Sequence, residues 1–147
     1  MKLPVLMDSR PPLVQVVLIT LPALVFGVVA GVALDLAAPA YYVLLVVALV
    51  GGILAGLEHD GGGHGAQRGL TGGLLVGAGV VAGHHLLSRR ATASLPHPEG
   101  VELIVSALFG AVLGSTGGVL RGAQEHAERE AAADAREAGW RPHGTAR

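Results

Sequence analysis

Cysteine is absent from all 147 residues, which excludes disulfides, thiolate metal ligands and cysteine nucleophiles. Charge is scarce as well: 14% of residues are charged and the formal net charge is -1. A protein that grips a phosphate backbone needs a basic patch, so nucleic acid is not an expected partner. The spare charge, 51% hydrophobic content and 23 glycines lie far from the composition of an average soluble domain. The nine arginines against one lysine fit GC-rich bacterial coding.

Four uncharged runs carry the architecture. Leu13 to Leu34 spans 22 residues, enough to cross a hydrocarbon core of about 30 Å at about 1.5 Å per residue. Asp35 and Pro39 close it. Residues 40–57 form a second run with Tyr41 and Tyr42 at its start, where an interfacial aromatic belt would lie. Residues 69–87 and 103–120 give the third and fourth, separated by polar loops at Glu58 to Arg68 and Ser88 to Glu102. These runs predict an all-α, four-span transmembrane helical bundle preceded by a short N-terminal segment, 1–12, and followed by a soluble tail, 121–147. Along that tail five arginines balance five carboxylates, and Glu125 stands four residues before Arg129, the spacing of an exposed helix. Trp140 is its one apolar anchor.

Arginine and lysine collect on the cytoplasmic side of membrane proteins. With both termini cytoplasmic, Lys2, Arg10, Arg68, Arg121 and four later arginines lie inside, and only Arg89 and Arg90 lie outside. The expected location is the cell membrane, multi-pass. Ala38-Pro39-Ala40 has the small residues that signal peptidase accepts, but the apolar run before it is too long for a signal peptide.

Two glycine ladders stand out, Gly65, Gly69, Gly73 and Gly77 on the third run and Gly110, Gly114, Gly118 and Gly122 on the fourth. Four-residue spacing lines one helix face with backbone, so two helices can approach closely, the glycine-zipper packing favoured in lipid. The spacing leaves open whether the ladders meet within one subunit or between subunits. The chain also repeats itself: Gly27-Val28-Val29-Ala30-Gly31 recurs as Gly79-Val80-Val81-Ala82-Gly83, Ala48-Leu49-Val50-Gly51 is echoed by Ala107-Leu108-Phe109-Gly110, and Gly65-Ala66-Gln67 by Gly122-Ala123-Gln124. Two similar helical hairpins in the same membrane orientation follow, unlike the inverted repeats of many transporters.

Chemistry is sparse. The middles of the four runs contain no ionisable residue, the hydroxyls of the third and fourth runs are Thr71, Ser106, Ser115 and Thr116, and a hydroxyl in a helix usually bonds back to its own backbone. An outer set comprises Asp35, His84, His85, His97, Glu99 and Glu102. Imidazole and carboxylate together suit a divalent metal or a pH response, with His84, His85 and Asp35 as candidate ligands, although the spacing matches no tetrahedral-site signature. An inner set, Glu58 to Arg68, is a glycine-rich loop with two histidines and two carboxylates. It departs from the Asp-Gly, Ala-Arg phosphatidyltransferase signature, because Gln67 separates Ala66 from Arg68 and the later aspartates are missing. It also lacks the lysine and hydroxyl of a phosphate loop.

The succession Gly51-Gly52-x-x-Ala55-Gly56, a polar loop, then Gly65-Ala66-x-x-Gly69-x-x-x-Gly73 resembles small glycine-rich membrane families of bacteria and archaea known only as domains of unknown function. The resemblance covers the middle third and implies no activity, cofactor or catalytic residue. Small fluoride channels share the length and span number, but their asparagine and phenylalanine signature is not found. The expectation is a non-enzymatic integral membrane protein without a cofactor, whose partners are the bilayer and either further copies of itself or subunits of a membrane complex. The alternative is a small channel or transport unit for an ion or small solute. An enzyme at the interface is least expected, since neither polar set combines acid, base and nucleophile.

Overall fold

The computed structural model describes residues 11–87, 98 and 100–139, with side chains through Arg136. Four helices make up the fold: α1 (Pro12–Leu36), α2 (Ala38–Gly56), α3 (Gly61–Leu87) and α4 (Gly100–Gly139). Among the described residues there is no strand. Pro12 opens α1 and Pro39 lies in the first turn of α2, positions where a missing N–H removes no helical bond. All four helices are long and apolar enough to cross a membrane.

The distribution of side chains is the reverse of a soluble core. Only Ala30, Leu34 and Val80 are buried apolar residues among those described, whereas Leu13, Val43, Leu86, Phe109 and Val112 are exposed. In water such a surface would aggregate; in lipid it is the solvated face. The protein is an all-α, four-helix integral membrane bundle, as its uncharged runs predict.

What fills the interior is backbone. The two ladders meet within one chain, and the antiparallel register of α3 and α4 advances one turn at a time. A methyl built on Gly65 would overlap the carbonyl of Gly114, one on Gly69 that of Gly110, one on Gly73 that of Ser106, and one on Gly118 that of Gly61. A methyl on Gly77 would stand 3.2 Å from the Glu102 carbonyl. The relation is reciprocal at Gly69 with Gly110 and at Gly65 with Gly114. Each glycine Cα–H therefore points at the carbonyl opposite, a weak hydrogen bond that recurs at close helix interfaces.

Two further seams use the same device. Gly27 and Gly31 of α1 lie against Gly79 and Gly83 of α3, so the two matching pentapeptides face each other in parallel: a Cβ on Gly79 would stand 2.7 Å from the Leu24 carbonyl. On the other side of the bundle, a Cβ on Gly117 of α4 would reach within 2.8 Å of the Gly56 Cα of α2, and one on Gly56 would strike the Gly114 carbonyl. Gly114 thus joins three helices. The helices follow one another around the bundle as α1, α3, α4, α2, and the hairpins are packed differently: α3 and α4 share a long interface, while α1 and α2, joined through Ala37 alone, share little.

Three features differ from the sequence reading. The segment expected as a loop from Glu58 to Arg68 is non-helical only over 57–60, and α3 begins at Gly61. Glycine is a poor helix former, but the contacts of Gly61 and Gly65 with α4 offset that weakness, and Gly61 itself, at φ 79°, makes the turn into the helix. Secondly, Gly122 has open space around it. The register explains why: Gly118 meets the first residue of α3, and one turn further there is no α3 to face. Lastly, the fourth helix does not stop near residue 120. It continues to Gly139, about 60 Å in all, and the exposed arm beyond Gly122 carries the Arg129 to Glu125 pair at 3.6 Å.

Replacing Gly114 with leucine should lower bundle stability in detergent by about 3 kcal/mol or more, because the atoms in the way are backbone and cannot move aside. Gly122→Leu should stay within about 0.5 kcal/mol of wild type. Thermal unfolding of the two variants side by side checks both.

Candidate functional site

Of the outer polar set, Asp35 and His84 pair once folded. His84 Nδ1 on α3 donates to Asp35 Oδ1 on α1 at 2.6 Å. The Asp35 side chain is fully buried, and its Oδ2 has no hydrogen-bond partner among the described residues. His85, the next residue, is exposed and its ring packs 5.7 Å from that of His84. His97 and Glu99 lie outside the described residues. No group of three potential metal ligands occurs among the described residues. Asp35 and His84 instead tie the end of α1 to α3.

The inner set is local. His59 Nδ1 donates to the Ala55 carbonyl at 3.1 Å and His64 Nδ1 to the Asp60 carbonyl at 3.0 Å, each one turn back. Arg121, expected in the soluble tail, is buried. It donates from Nη1 to the Leu57 carbonyl at 2.8 Å and from Nε to Glu125 Oε1 at 2.8 Å. It thereby fastens the end of α2 to α4. Of the four hydroxyl residues, Thr71 and Thr116 bond back to Gln67 and Val112, but Ser106 donates to Glu102 Oε1 at 2.9 Å.

Glu102 stands in the first turn of α4, at the helix end where the sequence reading put it. It is buried and faces Gly77 of α3, ten residues or about 15 Å below the end of that helix. Extending the fourth-helix ladder backwards from Gly110 by two rungs reaches Ser106 and then Glu102, so the signal was present in the spacing. Arg68, by contrast, was expected in a loop. With α3 starting at Gly61, Arg68 is on the helix, about 10 Å from its start. Its guanidinium lies along Gly72, where an added Cβ would come within 2.8 Å of Nη1. The side chain is therefore directed away from the nearer helix end, opposite to the usual snorkelling of a membrane arginine.

Both residues line one cavity of about 650 Å³ between α1 and α2, floored by α3 and α4. Its other walls are apolar or bare backbone, including Phe26, Tyr41, Ala48, Gly52 and Phe109. Since α1 and α2 share little surface, that is the side on which the ring of helices is open. Among the described residues no hydrogen bond or ion pair reaches the Arg68 guanidinium; Glu58 acts on it only at longer range. Tyr41 and Glu102 lie close enough to interact electrostatically. The cavity holds two charged groups at levels about 14 Å apart along α3, counted from Arg68 to Gly77. No protein-family model, curated protein or solved structure matches this chain.

The cross-link between α1 and α3 is testable apart from any ligand. Asp35→Ala should lower thermal stability by about 1–3 kcal/mol, the cost of losing a charge-assisted bond whose partner stays half-buried. His84→Ala in the same background should add little more, because both changes remove one interaction.

Proposed function

We propose that the protein is a non-enzymatic unit of the cell membrane, with both termini cytoplasmic, that holds a small molecule in its interhelical cavity as a binding or transport unit. One observation carries this reading: the cavity between α1 and α2 is lined by two charged side chains of the membrane-spanning helices, Arg68 and Glu102. Ionisable groups in membrane-spanning helices are costly and mark ligand or ion routes more often than they serve packing. A cavity of this size, mostly apolar with a few polar groups, is the form of a small-molecule site.

The volume and lining support binding rather than catalysis: Glu102 is bonded to the Ser106 hydroxyl, but no histidine among the described residues lines the cavity to complete an acid, base and nucleophile arrangement. Self-assembly loses its main support for a separate reason. The glycine faces that would join subunits are used inside one chain.

Gly51 lines the cavity and has nothing within 4 Å of an added Cβ. Native mass spectrometry from mild detergent should find a monomer carrying a co-purified small molecule. Gly51→Phe should remove that molecule while leaving the unfolding temperature within a few degrees of wild type. A bare oligomer, unchanged by Gly51→Phe, would sink the proposal in favour of assembly.

A further inference from the structure

We infer that the molecule held in the cavity is an anionic amphiphile: a single aliphatic body bearing a carboxylate or phosphate that pairs with Arg68. The inference rests on the reading of the cavity as the working site and adds the class of its ligand.

Charge balance selects the sign. Arg68 and Glu102 are not equivalent, because they differ in the bonds that the fold gives them. Glu102 already has Ser106 as a hydrogen-bond partner for Oε1. Arg68 has no hydrogen bond or ion pair among the described residues. Arg68 is thus the charged group of the cavity that lacks a bonded partner among the described residues. An isolated charge in apolar surroundings is strongly disfavoured, and a planar guanidinium is best satisfied by an oxyanion that accepts two parallel N–H bonds.

Shape points the same way. Gly72 is the cradle on which the arginine lies, since any side chain there would meet Nη1. The bare backbone there leaves room for the guanidinium to lie toward the middle of the bundle. An anion meeting it there must bring its charge about 10 Å past the start of α3, which an inorganic ion would do only with its hydration shell. An aliphatic body removes that obstacle, because the rest of the lining is apolar or bare backbone. The gap between α1 and α2 gives it a route from the bilayer.

The test uses the full-length protein in phosphatidylcholine nanodiscs at neutral pH, with hexadecanoate, hexadecyl phosphate and hexadecanol as probes and equilibrium binding as the readout. At least one anion should bind about ten- to a hundredfold more tightly than the alcohol, the range for a hydrogen bond to a charged group. Preference for the carboxylate would identify a fatty-acid source and preference for the phosphate a lipid headgroup. Arg68→Gln should abolish the difference, and Arg68→Lys, which keeps the charge, should retain part of it. Equal wild-type affinity for all three probes, each weakened by Gly51→Phe, would overturn the anionic class and leave the cavity as the site. Binding of every probe unchanged by Gly51→Phe would overturn both readings. The wild-type comparison of anion with alcohol decides the question even where a variant fails to fold.

Discussion

The contact on which everything else depends is backbone against backbone at Gly114. Its carbonyl is approached by Gly65 of α3 and by Gly56 of α2, so one peptide unit sets the separation of three helices. In lipid the apolar side chains gain nothing by leaving a solvent as apolar as themselves, and association must come from close packing and weak polar contacts. Glycine meets that need by removing the side chains that would hold the helices apart. The charged residues then take their positions from the seams. Glu102 and Ser106 occupy the rungs where the fourth-helix ladder runs out of glycine, and Arg68 lies beside the third-helix ladder on the face turned to the cavity.

The cavity follows from where this packing is missing. Glycine seams join α1 to α3, α3 to α4 and α4 to α2, but none joins α1 to α2. Gly51, on the cavity side of α2, has no neighbour within reach, although Gly52 packs against the side chain of Leu113 and Gly56 against Gly114. The ring is open at one place, and Arg68 is directed toward the space left there. Asp35 with His84, and Arg121 with the Leu57 carbonyl, fasten helices at opposite ends of the bundle without entering the cavity.

Much of this fold could be read from uncharged run length alone, because a segment with no water to satisfy its backbone has to be helical. The glycine faces of α3 and α4 were equally legible from their four-residue period, although that period did not tell whether they meet within one chain. Three details were hidden for physical reasons. The start of α3 was obscured by three consecutive glycines, whose weak intrinsic propensity is overridden by tertiary contact. The α1 seam was visible only as a repeat, because two glycines in each segment make too short a ladder to separate from composition. The position of Arg68 depended on the start of α3: with the helix beginning at Gly61, a charge expected in a loop stands about two turns inside a helix. The pairing of Asp35 with His84 had no sequence signal, since it depends on how far each helix extends past its neighbour.

An interior made of glycine inverts the pattern of tolerance to substitution that a soluble protein shows. In a water-soluble core the large side chains are constrained and the surface is free to vary among polar residues. Here the inside accepts almost nothing larger than hydrogen, while Leu13, Val43, Leu86 and Val112 on the outside can be exchanged among aliphatic residues with little effect. Side chains that melt into lipid also lose little rotamer freedom when the helices associate, so ordering the bundle costs less entropy than burying the same residues in a core. Divergent versions of this chain should therefore keep their glycine register long after their lipid-facing letters have drifted, and a search guided by that spacing will recognise them where overall identity does not.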